Sequence, residues 1–159
     1  MTVMMFNRVA GIALHEGQVL LHRAEMEDFW TLPGGQIEPG ESTETALKRE
    51  MQEELHTEVT VGKLCYVVEN FFPYSGKDYH EIGLYFQMQL PPDSPLLLTQ
   101  MFDGIELYFN NQPAFRLIFE WTPLNTLAGK IMKPAFLSHE LPQVESLNHT
   151  RHIIHDGRE

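Results

Sequence analysis

The stretch Gly34–Val59, GGQIEPGESTETALKREMQEELHTEV, decides how the remainder of the chain is read. Its first third is a loop broken by Gly and Pro. Ser42 then offers a suitable N-cap, and Glu44 a first-turn acid that complements the positive end of a helix. From there ALKREMQEEL runs through good helix formers without a breaker. At about 100° per residue, with Glu50 set to zero, Glu54 falls near ~40° and Glu53 near ~300°. Three carboxylates therefore share one face. Leu47, Met51 and Leu55, at i, i+4 and i+8, form a neighbouring apolar stripe that can dock on a core.

Like charges at this spacing repel by a few tenths of a kcal/mol when exposed, and more when desolvated. A helix needing only solvation would alternate its signs. Taken alone, EMQEEL still reads as an acidic, solvated face, because Glu-rich faces are common. Its alternative is a set of hard oxygen donors suited to Mg²⁺, Mn²⁺ or Ca²⁺.

The spacing of the whole stretch separates the two readings. Gly35, five residues, Glu41, seven residues, Arg49-Glu50, Met51, one residue and Glu53-Glu54 follow one another. This resembles the Nudix box, Gly-x5-Glu-x7-Arg-Glu-U-x-Glu-Glu-x-Gly-U, where U is a bulky aliphatic. His56 and Thr57 depart from it, standing where the box has Gly and U. The Gly position follows the helix end, where left-handed backbone is usual, and His tolerates that better than most residues, so the expected cost is modest. Phe29-Trp30-Thr31-Leu32-Pro33 and Trp121-Thr122-Pro123-Leu124 also look Nudix-like.

The resemblance implies an α+β fold, a mixed β-sheet sandwiched between α-helices. It implies that Glu50, Glu53, Glu54 and the carbonyl of Gly34 hold Mg²⁺ or Mn²⁺. It gives Gly35, Glu41 and Arg49 a structural role, the last two bracing the box loop against its helix. The implied chemistry is hydrolysis of a pyrophosphate bond in a nucleoside diphosphate linked to another moiety, with water as nucleophile. The metal would spread the developing charge and lower the pKa of that water. Glu53 and Glu54 would be catalytic, and the general base would be a box Glu acting with the metal or an acid from outside the box. Glu81, Asp103, Glu106 and Glu120 are the candidates, with Glu81 and Glu120 preferred. Arg23 stands where an Arg often faces substrate phosphates, and reads equally as a surface charge.

Bulk properties bound the rest. With 159 residues and 43% apolar composition, residues 1–159 are expected to form one domain with one sizeable core. No apolar run reaches the length of a membrane span, and the N-terminus reads as a strand, not a signal peptide. The one cysteine, Cys65, leaves no internal disulfide and fits a reducing cytoplasm. A net charge of −11 disfavours duplex nucleic acid and anionic membranes, and bound cations would reverse that sign locally for a small phosphate substrate. An RNA-end pyrophosphohydrolase would want a basic track, which 11 scattered Lys and Arg do not supply. A non-catalytic nucleotide sensor is the competing function, and its usual mark, loss of box carboxylates, is missing. Homodimers are common in the family, but nothing in this sequence identifies an interface.

Along the chain, Met4–Leu14 and VLLHRAE form a predicted hairpin across HEGQ. Val61–Phe72 and Tyr79–Leu90 form a second across PYSGKD, with Glu81 on a polar strand face whose default is solvent. PPDSPLLLTQMFDG reads as irregular, Ile105–Phe109 and Ala114–Trp121 as a third hairpin turning at Asn110–Pro113. Thr122-Pro123 reads as the cap of a short helix, and Pro134–Leu141 as another. His149, His152 and His155 drift by about 120° if helical, so a zinc site is disfavoured and residues 145–159 are expected to be a solvated, partly frayed tail.

Overall fold

The computed structural model describes residues 2–107 and 113–158. Strands β1 (Val3–His15) and β2 (Gln18–Ala24) are joined by the turn Glu16-Gly17, with φ of 49° and 76°. Positive φ at both turn positions matches the twist of an antiparallel pair. The two strands pair only at this end, Leu14 with Val19 and His15 with Gln18. Beyond it they splay, and segment 30–36 wedges between them. The Gly11 N–H donates to Pro33 O and the His22 N–H to Thr31 O, both at 2.9 Å. Strand β3 (Gly34–Gln36) pairs antiparallel with β1. Gly34, at φ 153°, lies so close to β1 that a Cβ would overlap the Val9 carbonyl, which leaves room only for glycine.

The wedge leads into helix α1 (Thr43–Leu55), whose Ser42 cap accepts from the Thr45 N–H at 3.2 Å. Strands β4 (Thr60–Tyr74) and β5 (Lys77–Gln89) follow as a long hairpin turning at Ser75-Gly76. After a 3-10 turn at Pro95–Leu98 come β6 (Met101–Glu106) and β7 (Phe115–Pro123). A 3-10 turn (Leu124–Gly129), the short α2 (Leu137–Glu140), a further 3-10 turn (Leu141–Ser146) and β8 (Arg151–Asp156) complete the chain. The strand order is β6-β7-β2-β1-β5-β4-β8, with β3 added on β1. The pairs β1/β5 and β4/β8 are parallel and the others antiparallel, so the sheet is mixed.

Side-chain alternation along each strand divides the core into two layers. On one face Val9, Ala13, Leu20, Phe119 and Trp121 bury Leu47 and Met51 of α1. On the other, Ala10, Ile12, Leu21, Tyr66 and Tyr85 pack with Leu127, Leu137 and Leu141 from the C-terminal turns. This is the expected α+β sandwich, with a mixed sheet between helical layers.

Several local expectations differ. Residues 151–156 are not a frayed tail but a strand in register with β4, from Tyr66↔Arg151 to Phe71↔Asp156. Edge pairing supplies the order that a short polar sequence lacks by itself. The three histidines are accordingly not on a helix: His152 and His155 lie on opposite faces of β8. The third hairpin starts earlier, at Met101, and its turn at Asn110–Gln112 lies outside the described residues. Thr122 does not cap a helix; it is buried within β7, and the turn after Pro123 has no side-chain cap. The predicted Pro134–Leu141 helix is shifted to Leu137–Glu140 and runs on as a 3-10 turn to Ser146.

Helix α1 ends at His56, whose φ of 52° and ψ of 37° are left-handed and whose N–H donates to Gln52 O at 3.0 Å. A Cβ in this region costs about 1 kcal/mol, which glycine avoids. His56→Gly is expected to raise the free energy of unfolding by about 0.5–1 kcal/mol in urea titrations, with kinetics unchanged.

Candidate active site

The helix face that carries three carboxylates does not point to open solvent. Glu50 and Glu54 are 6% and 2% exposed, while the Glu53 side chain keeps 32%. Burial happens because α1 docks through Leu47 and Met51 against the splay between β1 and β2, and the acids follow the apolar stripe inward. Gly35 forms the floor: a Cβ there would overlap the Glu50 carboxylate. The two glycines thus serve different ends, Gly34 letting the loop meet β1 and Gly35 leaving space for Glu50.

Arg49 ties the box loop to the helix. Its Nε donates to Glu41 Oε2 at 3.0 Å and its Nη2 to Glu41 Oε1 at 2.6 Å, a two-point bond. The same Nη2 reaches the Gln36 carbonyl at 2.9 Å, and Nη1 bridges Glu50 at 3.0 Å and Glu53 at 3.2 Å. The guanidinium hydrogen-bonded to Glu41 holds that carboxyl below its ordinary range. One cation therefore serves three carboxylates.

Two residues that the sequence reading passed over complete the surroundings. Arg8, on β1, donates to the Leu32 carbonyl at 2.6 Å, and its charge acts on Glu50, Glu54 and Glu81. His22, on β2, is 5% exposed and places Nδ1 3.3 Å from Glu54 Oε1. Burial drives the two in opposite directions. It pushes Glu54 well above the ordinary carboxyl value, helped by the Glu50 and Glu106 charges, and lowers His22 to about 3. Glu50 is also raised by burial, against the pull of Arg49. The sequence signal was present for His22: a histidine closing the apolar run Val19–Leu21, where β2 is buried on both faces.

The acids proposed from outside the box part company. Glu81 is not on a solvent face; it is 5% exposed and acted on by the Arg8 charge and the Asn70 amide, because that face of β5 lies under the C-terminal turns. Burial raises its carboxyl. Glu106, at the end of β6, is close enough for its charge to act on Glu54. Glu120 is not brought to the box. Its neighbours Phe119 and Trp121 face α1, so Glu120 points to the opposite side of β7, where Lys130 pairs with it. Asp103 is likewise taken, by Arg116 at 2.8 Å. Arg23 donates to the Glu25 and Glu27 carbonyls at 3.2 and 3.0 Å and lies over the Trp30 ring, bracing the turn after β2.

Whether this set suits a divalent cation turns on Glu54. Both of its carboxylate oxygens are buried without a hydrogen-bond partner among the described residues. Leaving a buried carboxylate unpaired is costly, and a hard cation is the ligand that relieves it. Among the described residues, no three ligating side chains converge closely enough to hold an ion as they stand. Glu50 and Glu53 instead converge on Arg49, so they are already grouped around positive charge. The donor chemistry fits Mg²⁺ or Mn²⁺.

A stability consequence follows from the sign of the Glu54 shift. Below its ordinary value of 4.5, folded and unfolded chains both carry the proton, and nothing is lost. As pH rises above it, the unfolded chain releases a proton that the folded one retains, so stability falls. In chelator, Glu54→Gln is expected to melt higher than the parent, the gap widening as pH increases from 4.5; calorimetric scans across pH check this.

The comparisons agree with the geometry. The NUDIX domain family pattern matches residues 5–133. The CTP pyrophosphohydrolase of Escherichia coli (strain K12) is 38% identical over 80 residues, 48% of this chain and 58% of that protein. The 8-oxo-dGTP diphosphatase of Proteus vulgaris is 43% identical over 51 residues, 32% of this chain and 46% of that protein. The chain thus spans about half the length of the curated relatives it matches. The fold resembles a solved ADP-ribose pyrophosphatase from Streptococcus suis 89-1591, with TM-score 0.60, 13% identity and coverage of 94% and 98% of the two chains. It also resembles a MutT protein from Methanosarcina mazei Go1, with TM-score 0.60, 21% identity and coverage of 92% and 96%. With the box in sequence, the splayed sheet that holds it and a family match over most of its length, this chain belongs to the Nudix hydrolase family.

Proposed function

We propose that this protein is a metal-dependent pyrophosphohydrolase that cleaves a nucleoside diphosphate linked to another moiety, by attack of water on phosphorus. The observation that carries the reading is Glu54: a carboxylate sealed beside Glu50 and His22, with two oxygens lacking a hydrogen-bond partner. A purely structural helix would place neutral or paired groups there. The names of the curated relatives, for CTP and for 8-oxo-dGTP, favour nucleoside triphosphates among such substrates.

Glu50, Glu53, Glu54 and the carbonyl of Gly34 would hold Mg²⁺ or Mn²⁺. When bound, such an ion stabilises charge on the phosphate oxygens and makes water more acidic. The remaining work belongs to side chains. Arg8, whose charge acts on the box acids and on Glu81 alike, is the cation that would take a phosphate oxygen. Arg49 keeps Glu50 and Glu53 apart from one another's charge and fixes the loop through Glu41. Glu53, the box acid most open to water, takes the proton as the new P–O bond forms and the bridging P–O bond breaks. The leaving phosphate departs with the bridging oxygen. Glu81 and Glu106 remain as flanking acids.

The test is a phosphate-release screen over nucleoside triphosphates, nucleotide sugars and dinucleotides, with a coupled phosphatase. Turnover is expected with Mg²⁺ or Mn²⁺ and is lost in EDTA; turnover persisting in chelator overturns metal-assisted hydrolysis. Glu53→Gln and Glu54→Gln are each expected to lower kcat by roughly 10²–10³-fold while leaving the circular dichroism spectrum unchanged. Silence across the panel, with tight nucleotide binding by calorimetry, would mark a sensor instead.

A further inference from the structure

The family match stops at residue 133, yet β8 reaches back to the face of the sheet that carries Glu81. In register, Glu81 of β5 lies opposite Asn70 of β4, and Asn70 opposite His155 of β8. Alternation puts all three side chains on one face, and Arg8 of β1, opposite Gly83, shares it diagonally from Glu81. His155 Nδ1 lies 3.1 Å from Asn70 Oδ1, and the Asn70 amide, opposite Glu81 across the β4/β5 pair, favours the charged form of its carboxyl. Asn70 and Glu81 are 6% and 5% exposed, so water does little to correct a wrong orientation.

The direction of this chain follows from what each group can do. A carboxylate only accepts, so Asn70 must offer Glu81 its NH₂. Its carbonyl oxygen is then turned to β8, and an acceptor there needs a donor. His155 must therefore carry its proton on Nδ1. The imidazole is held in this pose by the Phe136 ring, with centroids 5.7 Å apart, and Phe136 in turn stacks on Tyr85 at 6.4 Å. Were the amide reversed, its oxygen would face the Glu81 oxygens and its NH₂ the imidazole. Only protonation of Glu81 would relieve that contact.

We infer that His155 is a positioning residue for Glu81: by donating from Nδ1 it orients the Asn70 amide, which holds the Glu81 carboxylate toward Arg8 as an acceptor for the substrate. The C-terminal strand is thus a working part of the site and not only an edge of the sheet. The role in substrate handling rests on the hydrolase reading above; the proton's location does not. Truncating a residue that orients a working group typically costs roughly 10-fold or more in activity.

Two measurements decide it. In the full-length protein labelled with ¹⁵N, imidazole spectra at alkaline pH, where ordinary histidine is neutral, report the tautomer. His155 is expected to hold its proton on Nδ1 and to lose that preference in Asn70→Leu; an Nε2-protonated ring in the parent overturns the inference, whatever the enzyme does. The second is a cycle of His155→Phe and Glu81→Gln on kcat and KM for the nucleotide the screen selects. His155→Phe is expected to lower kcat/KM by roughly 10-fold, His155→Asn to restore part of it through an amide N–H at the Nδ1 position, and the double variant to fall no further than Glu81→Gln. Additive losses mean that β8 contributes only stability and overturn the positioning role. If the parent hydrolyses nothing, the hydrolase reading fails, and the tautomer still decides whether His155 orients Asn70 and Glu81.

Discussion

The constraint on which this molecule depends is the burial of two carboxyl side chains on one turn of one helix. Removing carboxylates from water costs several kcal/mol each unless positive charge or hydrogen bonds replace the lost hydration. Around Glu50 and Glu54 the replacement comes from two arginines on different elements. Arg49 reaches Glu50 from within the helix, and Arg8 acts from β1. Glu54 is left with His22, which burial keeps neutral, so its own compensation is incomplete. An incompletely compensated carboxylate is a site with binding energy in reserve.

Much of the architecture can be seen as serving that arrangement. Strands β1 and β2 separate after two paired positions, and the segment 30–36 fills the gap with its own hydrogen bonds to both. The wedge needs Gly34 because it touches the β1 backbone, and needs Gly35 because Glu50 lies against it. Arg49 then closes the loop onto the helix through Glu41. Each of these contacts depends on the others: a Cβ at Gly34 would push the loop off β1, and one at Gly35 would displace the Glu50 carboxylate that Arg49 holds. Catalytic shells are sensitive to displacements of this size.

The far side of the sheet has a different character. There the polar groups Arg8, Glu81, Asn70 and His155 lie across four strands, among aromatic rings, with a hydrogen bond between the last two and Asn70 opposite Glu81. Buried polar groups that face one another in this way favour one orientation of each. Arg8 is common to both sides, since its charge acts on the box acids and on Glu81 alike.

The box, its helix, the Ser42 cap, the left-handed position at His56, the turn between β1 and β2 and the long β4/β5 hairpin were all legible in the sequence. They rest on local spacing: helical period, cap chemistry, turn residues and the alternation of strands. The grouping of Glu50, Glu53 and Glu54 follows from that same period. Which acids outside the box approach them did not, since Glu81, Asp103, Glu106 and Glu120 have similar local settings and differ only in what long-range pairing brings opposite. Glu120 turns away because Phe119 and Trp121 fill the α1 side, and Glu81 turns inward because the C-terminal turns cover its face. Arg8 and the ordering of β8 were hidden for the same reason. Their partners lie on other strands, and a strand's environment is set by neighbours that the local sequence does not contain.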